Sequence, residues 1–92
     1  MIVRILGEGQ YELDDAEMAR VERLDATLSQ ALGAEDEAWF AKALDALLAE
    51  IRAGGRPLDP GTLVPSDLAV PPDGSTIAEV RALLGDGSTE PA

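Results

Sequence analysis

Residues 1–15 read MIVRILGEGQYELDD, and this pattern predicts a β-hairpin that leads directly into a helix. Apolar residues crowd the first half of the segment, and apolar and polar residues alternate in the second half, as in a strand with one buried face. We expect strands over about residues 1–6 and 10–13. The link Gly7-Glu8-Gly9 suits a short turn, because Gly9 takes a positive φ without steric cost.

Two amphipathic helices are predicted after the hairpin, over about Asp15–Leu32 and Glu35–Ala53. Asp14 or Asp15 provides the N-cap of the first helix, and Gly33 is predicted to end it in the left-handed conformation. The apolar stripes consist of Met18, Val21, Leu24, Leu28 and Leu32 in the first helix and Phe40, Leu44, Leu47, Leu48 and Ile51 in the second. The short link around Gly33 implies an antiparallel pair whose stripes face each other and the hairpin.

The C-terminal third is predicted to be largely extended and to end in a short helix. Its prolines disfavour helix, and Leu68–Val70 is a candidate third strand at the edge of the hairpin. Thr76 and Glu79 have the spacing of a capping box. A third helix is therefore predicted over about residues 77–84, closed by Gly85.

These elements predict an α+β fold in one small domain. An N-terminal β-hairpin, with the candidate third strand near residues 68–70, packs on an antiparallel helix pair and is followed by a short C-terminal helix. The domain is expected to span residues 1–85, and residues 86–92 to form a flexible tail. A 92-residue chain buries only about two-thirds of its unfolded surface, so an oligomer or a bound partner could supply what the core lacks.

The residue types that most enzymes use for chemistry are missing. The chain has no Cys and no His, which excludes a thiolate nucleophile, a thiolate metal site and the usual base near neutral pH. Glu12 stands where a Gly-x-Gly-x-x-Gly phosphate loop needs its third glycine, and no segment has the spacing of a calcium loop. Acidic clusters at the helix starts are explained by capping and the helix dipole. We therefore predict no catalytic residue, no metal and no cofactor.

The charge balance limits the kinds of partner. Seven Lys and Arg residues face eighteen Asp and Glu residues, and the net charge is −11. Such a surface repels nucleic acid and anionic lipid headgroups. Two interpretations stay open: the charge attracts a basic protein, or it only keeps a small protein soluble. No apolar run reaches the roughly 18 residues of a membrane span or resembles a signal peptide, so we expect a cytoplasmic protein without direct membrane insertion.

Four residues on the predicted helices are candidates for partner binding: Trp39, Glu22, Asp25 and Asp45. The three acids lie on polar helix faces. Trp39 points about 100° away from its neighbour Phe40 on the buried stripe, so it either anchors a partner or covers the edge of the core or the hairpin. A different hypothesis is self-association, in which a sheet edge or the Trp39 surface forms a homodimer.

The chain resembles the PspA-associated proteins called PspAA. Two segments carry most of the specificity of this resemblance, GEGQY (residues 7–11) and LVPSDL (63–68), and it also includes EVRALLGD (79–86). The resemblance covers nearly the whole chain. It implies a protein encoded beside PspA, a coiled-coil protein of the phage-shock envelope-stress response, in actinobacteria and some archaea. It further implies an accessory of PspA rather than an enzyme, and it carries over no catalytic or ligand-binding residues.

The resemblance also suggests a mechanism, because PspA-type proteins lie on the inner face of stressed membranes through amphipathic helices. We hypothesise that the acidic domain binds basic helices of a PspA-like coiled coil and tunes its membrane attachment or assembly. The protein would then be recruited to the inner face of the membrane by PspA. The alternative is a homodimer without a direct PspA contact.

Overall fold

The computed structural model describes residues 1–62 and 64–89, and the side chains of residues 1–62 and 64–83. It confirms an α+β fold with an N-terminal hairpin and a helix pair. The elements in chain order are β1 (Ile2–Ile5), β2 (Gly9–Glu12), α1 (Asp15–Ala34), α2 (Glu37–Gly54), β3 (Arg56–Pro57), β4 (Leu68–Val70) and α3 (Ile77–Thr89).

The strands form a four-stranded sheet in the order β3-β2-β1-β4. β1 pairs with β2 in the antiparallel direction, and Val3 lies opposite Tyr11. β1 pairs with β4 in the parallel direction, and Val3 lies opposite Leu68. The predicted third strand at the edge of the hairpin is thereby confirmed. β3 was not predicted, because two residues that include a proline give no strand pattern. Both glycines of the hairpin turn have a positive φ, 79° at Gly7 and 150° at Gly9.

One face of the sheet packs on the helix pair and forms the core with it. Every residue of the predicted α2 stripe is buried, and so are Met18, Val21 and Leu28 of α1, while Leu24 and Leu32 are partly buried against the same core. The sheet contributes the buried side chains of Val3, Ile5 and Val70 to this core. Burial of these side chains is the main stabilising term of the fold.

The other face of the sheet is held by the loop after β3. Gln10 is 8% exposed, and its Nε2 donates to the Val64 carbonyl at 2.9 Å and to Ser66 Oγ at 2.8 Å. The backbone N–H of Ile2 donates to the Asp67 carboxylate at 2.7 Å. A buried amide needs such partners, so the GEGQY and LVPSDL segments depend on each other structurally.

The boundary between α1 and α2 differs from the prediction at Gly33. Asp14 is the N-cap of α1 and accepts the Glu17 N–H at 2.7 Å, but the helix passes through Gly33 and ends at Ala34. Glu35 then takes the left-handed conformation with a φ of 55°. The prediction was wrong because Ala31 is buried and Leu32 is partly buried, so the last turn stays attached to the core.

Replacing Gly33 with alanine is expected to raise the free energy of unfolding by about 0.5–1 kcal/mol, because glycine weakens a helix interior. A Cβ added at this position meets nothing within 4 Å. Urea unfolding followed by far-UV circular dichroism measures the change. A loss of stability would contradict the helical assignment of Gly33.

The start of α3 confirms the predicted capping box. The Glu79 N–H donates to Thr76 Oγ1 at 3.1 Å, and the Thr76 N–H donates to Glu79 Oε1 at 2.9 Å. The predicted end at Gly85 is wrong, since α3 continues to Thr89; a glycine weakens a helix but does not forbid it. The division into a domain over 1–85 and a tail over 86–92 stays a prediction, and residues 90–92 lie outside the described residues.

Candidate partner-binding surface

The structure places the four predicted partner-binding residues on two helices and does not gather them into one patch. Glu22 and Asp45 are exposed, Asp25 is half-buried, and Trp39 is 38% exposed. Glu22 and Asp25 share one flank of α1. On α2, Trp39 and Asp45 are separated by six residues and therefore point about 120° apart.

Asp25 is the candidate that borders a concave surface. An apolar groove of about 290 Å³ lies between α1, the end of β4 and α3. Its walls include Leu28, Leu32, Val70, Val80 and Leu83, with Asp25 among the lining residues. Sequence reasoning missed this groove, because it exists only where α3 docks near the end of α1.

The environment of Asp25 disfavours its charge. Partial burial raises the pKa of the Asp25 carboxyl above its ordinary value, and the neighbouring Glu22 carboxylate raises it further. Within residues 1–62 and 64–83, no Lys or Arg forms an ion pair with Asp25. An incoming cation would therefore gain a carboxylate partner at the rim of the groove.

α3 is fastened beside the groove by polar contacts with both helices. The Ile77 N–H donates to Glu37 Oε2 at 3.1 Å. Arg81 Nη2 donates to the Leu32 carbonyl at 3.0 Å and lies 3.2 Å from Glu35 Oε2. These contacts use the Leu32 carbonyl in the last turn of α1, which also accepts the Glu35 N–H, and the carboxylates of Glu35 and Glu37. They set the position of one groove wall.

A second concave surface, of about 620 Å³, lies beside the hairpin turn. Glu8 in its wall is already held: Arg52 Nη2 and Nε lie 2.5 and 3.1 Å from its two oxygens, and the Tyr11 hydroxyl donates to it at 2.6 Å. These hydrogen bonds lower the pKa of Glu8 from 4.5 to about 2. The ion pair joins the end of α2 to the hairpin turn.

Acid is expected to weaken the fold through Glu8. Its folded pKa of about 2 lies below the ordinary 4.5, so its contribution is complete above about pH 4.5 and is lost as the pH falls through about 2. The pair is partly solvent-exposed, so the contribution is about 0.5–1 kcal/mol. Arg52→Gln should remove this share of the pH dependence, as measured by urea unfolding at about pH 5 and pH 2.

Arg4→Gln is the matched control, because Arg4 is exposed and forms no ion pair among the residues whose side chains are described. It removes the same charge but should keep the wild-type pH dependence. If the free energy of unfolding changes equally between these two pH values in wild type and in Arg52→Gln, then Arg52 does not stabilise the Glu8 carboxylate.

Glu17 lies in the first turn of α1 and is a buried link between α1 and α2. Glu17 is only 6% exposed. Arg20 connects the two helices, because its Nη2 lies 2.6 Å from Glu17 Oε1 and its Nε lies 3.6 Å from Glu50 Oε2. The Arg20 hydrogen bond lowers the pKa of Glu17, whereas Glu17 raises the pKa of Glu50. Gly54 leaves room for this carboxylate, since a Cβ there would overlap it. The carboxylate thus fills the space beside Gly54 where the two helices pack.

Two kinds of feature are absent from the described part of the chain. No helix there has both the length and the apolar character to cross a membrane. No group of three or more acidic, His or Cys side chains there is placed to hold a metal ion.

Comparison with known proteins identifies a family. Comparisons with curated proteins and with solved structures give no match. The model of the family PspAA, described as PspA-associated protein, matches residues 1–91. The match spans the hairpin, the helix pair and α3, so the chain belongs to the PspAA family.

Proposed function

We propose that the protein is a non-enzymatic accessory of PspA that acts by binding PspA or a closely related coiled-coil protein. The observation that carries the proposal is the family match over residues 1–91, since the family is described as PspA-associated. The lack of Cys and His in the sequence supports a binding role over a catalytic one.

The charge distribution supports an electrostatic contribution to binding. The sequence has eighteen acidic and seven basic residues. Among the residues whose side chains are described, Glu22, Asp25 and Asp45 form no ion pair. These three acids remain available to basic side chains of a partner. Trp39, at 38% exposure, adds apolar area of the kind that concentrates at interface centres.

The place of action follows from the proposed partner. We propose that the protein works in the cytoplasm and reaches the inner face of the membrane only through PspA. Its net charge of −11 opposes direct docking on anionic lipid, so a protein contact is the more favourable route.

Calorimetric titration of the protein with PspA from the same organism tests the proposal. Wild type should bind, and affinity should fall as salt rises from about 50 to 300 mM. The combined variant Glu22→Lys/Asp45→Lys should bind about tenfold more weakly. Asp73→Lys, an exposed turn residue, is a control for charge reversal outside the helix faces.

Two results would count against different parts of the proposal. Salt-insensitive association that is unchanged in the reversal variant removes the electrostatic contribution. Absence of any association between wild type and PspA overturns the proposed function itself.

A second candidate is a self-associating module without a direct PspA contact. β4 lies at the edge of the sheet and pairs with β1 on one side, so its other side is a possible pairing edge. Sedimentation velocity of the pure protein decides this candidate. A monomer at tens of micromolar would remove it.

A further inference from the structure

We propose that the apolar groove between α1, β4 and α3 is a docking site for one amphipathic α-helix of the partner. The helix would place aliphatic side chains between Leu28, Leu32 and Leu83 and a Lys or Arg against Asp25. This inference rests on the proposed function, because it takes the partner to be a helical protein, and it names the surface and the chemistry of the contact.

The size of the groove fits side chains of one helix. Its volume is about 290 Å³, roughly twice that of a 150 Å³ cavity that accepts benzene, so it has room for about two aliphatic side chains. Asp25 and Leu32 are seven residues apart on α1, which is about 10 Å along the helix axis. That length matches two turns of a docked helix, whose apolar anchors recur at i, i+3 or i+4, and i+7.

The walls have the spacing that helix packing uses. Leu28 and Leu32 are one turn apart on α1, and Val80 and Leu83 are one turn apart on α3, so two ridges flank the groove. Leu83 is 51% exposed and stands beside the other apolar side chains of the groove. Covering this side chain would remove apolar surface from water and stabilise the complex.

The charge at the rim selects a basic helix. Asp25 is half-buried and, in the part of the chain with described side chains, has no cationic partner. Arg81, also beside the groove, is already paired with Glu35. The open charge at this rim is therefore negative, and a Lys or Arg from the partner would compensate it.

The same charge argues against other occupants. A second copy of this chain would bring another net charge of −11 to the contact, and an anionic membrane surface would be repelled as well. A helix with one apolar face and one basic face satisfies both the apolar walls and the acidic rim.

The test compares groove variants in titrations with full-length PspA. Leu83→Ser should lower affinity at least about tenfold, since it removes an apolar anchor at the interface. Asp25→Asn should lower it about fivefold and reduce its salt dependence. Ala82→Ser is the control, because Ala82 is an exposed neighbour on α3 that points about 100° away from Leu83. Circular dichroism confirms that each variant is folded.

Methyl NMR of the wild-type protein gives an independent readout. Addition of PspA should shift the methyl signals of Leu28, Leu32, Val80 and Leu83. If PspA binds wild type and Leu83→Ser equally and these signals do not shift, the groove is not the docking site. The proposed function would then still hold. Absence of binding by wild type overturns both. Shifts that depend on protein concentration without PspA would assign the groove to a second copy and contradict the proposal.

Discussion

Replacing Phe40 with alanine is expected to lower the free energy of unfolding by about 3–5 kcal/mol, the usual effect of deleting a buried aromatic side chain. Phe40 is 0% exposed and belongs to the core. The total stability of a domain of 92 residues is about 5–14 kcal/mol, so the loss is a large share of it. Urea unfolding by far-UV circular dichroism measures the shift of the midpoint at a constant slope.

The adjacent aromatic residue is the matched control. Trp39 is 38% exposed, and its replacement by alanine should destabilise the fold by less than about 1 kcal/mol. The contrast separates core packing at Phe40 from the surface position of Trp39. Similar losses in the two variants would contradict the assignment of Trp39 to the surface.

Replacing Gly55 with alanine is expected to destabilise the fold by about 1–3 kcal/mol through overpacking. A Cβ at this position would lie 2.7 Å from the Ile51 carbonyl oxygen, 2.7 Å from Leu13 Cδ2 and 3.0 Å from Tyr11 Cβ. The backbone itself tolerates a side chain, since the φ of Gly55 is −99°. The effect therefore comes from contact between the end of α2 and the hairpin.

The close approach at Gly55 also involves a hydrogen bond, because its N–H donates to the same Ile51 carbonyl at 2.8 Å. Relief of the contact would stretch this bond at the end of α2 or move Leu13 out of the core. Thermal unfolding should show a drop of about 4–8 °C per kcal/mol for a domain of this size. Gly33→Ala serves as the control of opposite sign, and a neutral Gly55→Ala would contradict the packing at this junction.

Features encoded by neighbouring residues could be read from the sequence. The capping box at Thr76 and Glu79 is a local exchange of two hydrogen bonds, and the apolar stripes of α1 and α2 follow helical periodicity. The end of α1 at Ala34, with Glu35 as its C-cap, was missed, because the choice between Gly33 and Glu35 as the left-handed residue depends on how far the stripe remains buried.

Features made by distant residues could not be read in the same way. β3 contributes two residues that pair with β2, and no two-residue pattern predicts a strand. The bond from Gln10 to Ser66 joins segments 56 positions apart. The apolar groove likewise needs α3 to dock beside α1, so Asp25 was a candidate by charge alone, and its place at the groove rim emerged only with the fold.

The four candidate residues illustrate the limit of surface prediction. Helical periodicity placed Glu22, Asp25 and Asp45 on polar faces and Trp39 off the buried stripe. It could not rank them, because exposure alone does not distinguish an interface from solvated surface. The binding variants of Glu22, Asp25 and Asp45 described above test the proposed roles of these three acids.

A sedimentation-velocity titration of the wild-type protein with PspA from the same organism, at about 50 mM salt and tens of micromolar protein, tests whether the protein binds PspA. We expect a complex that forms without any small-molecule ligand and weakens as salt is raised. Separate boundaries for the two proteins at every ratio would contradict it.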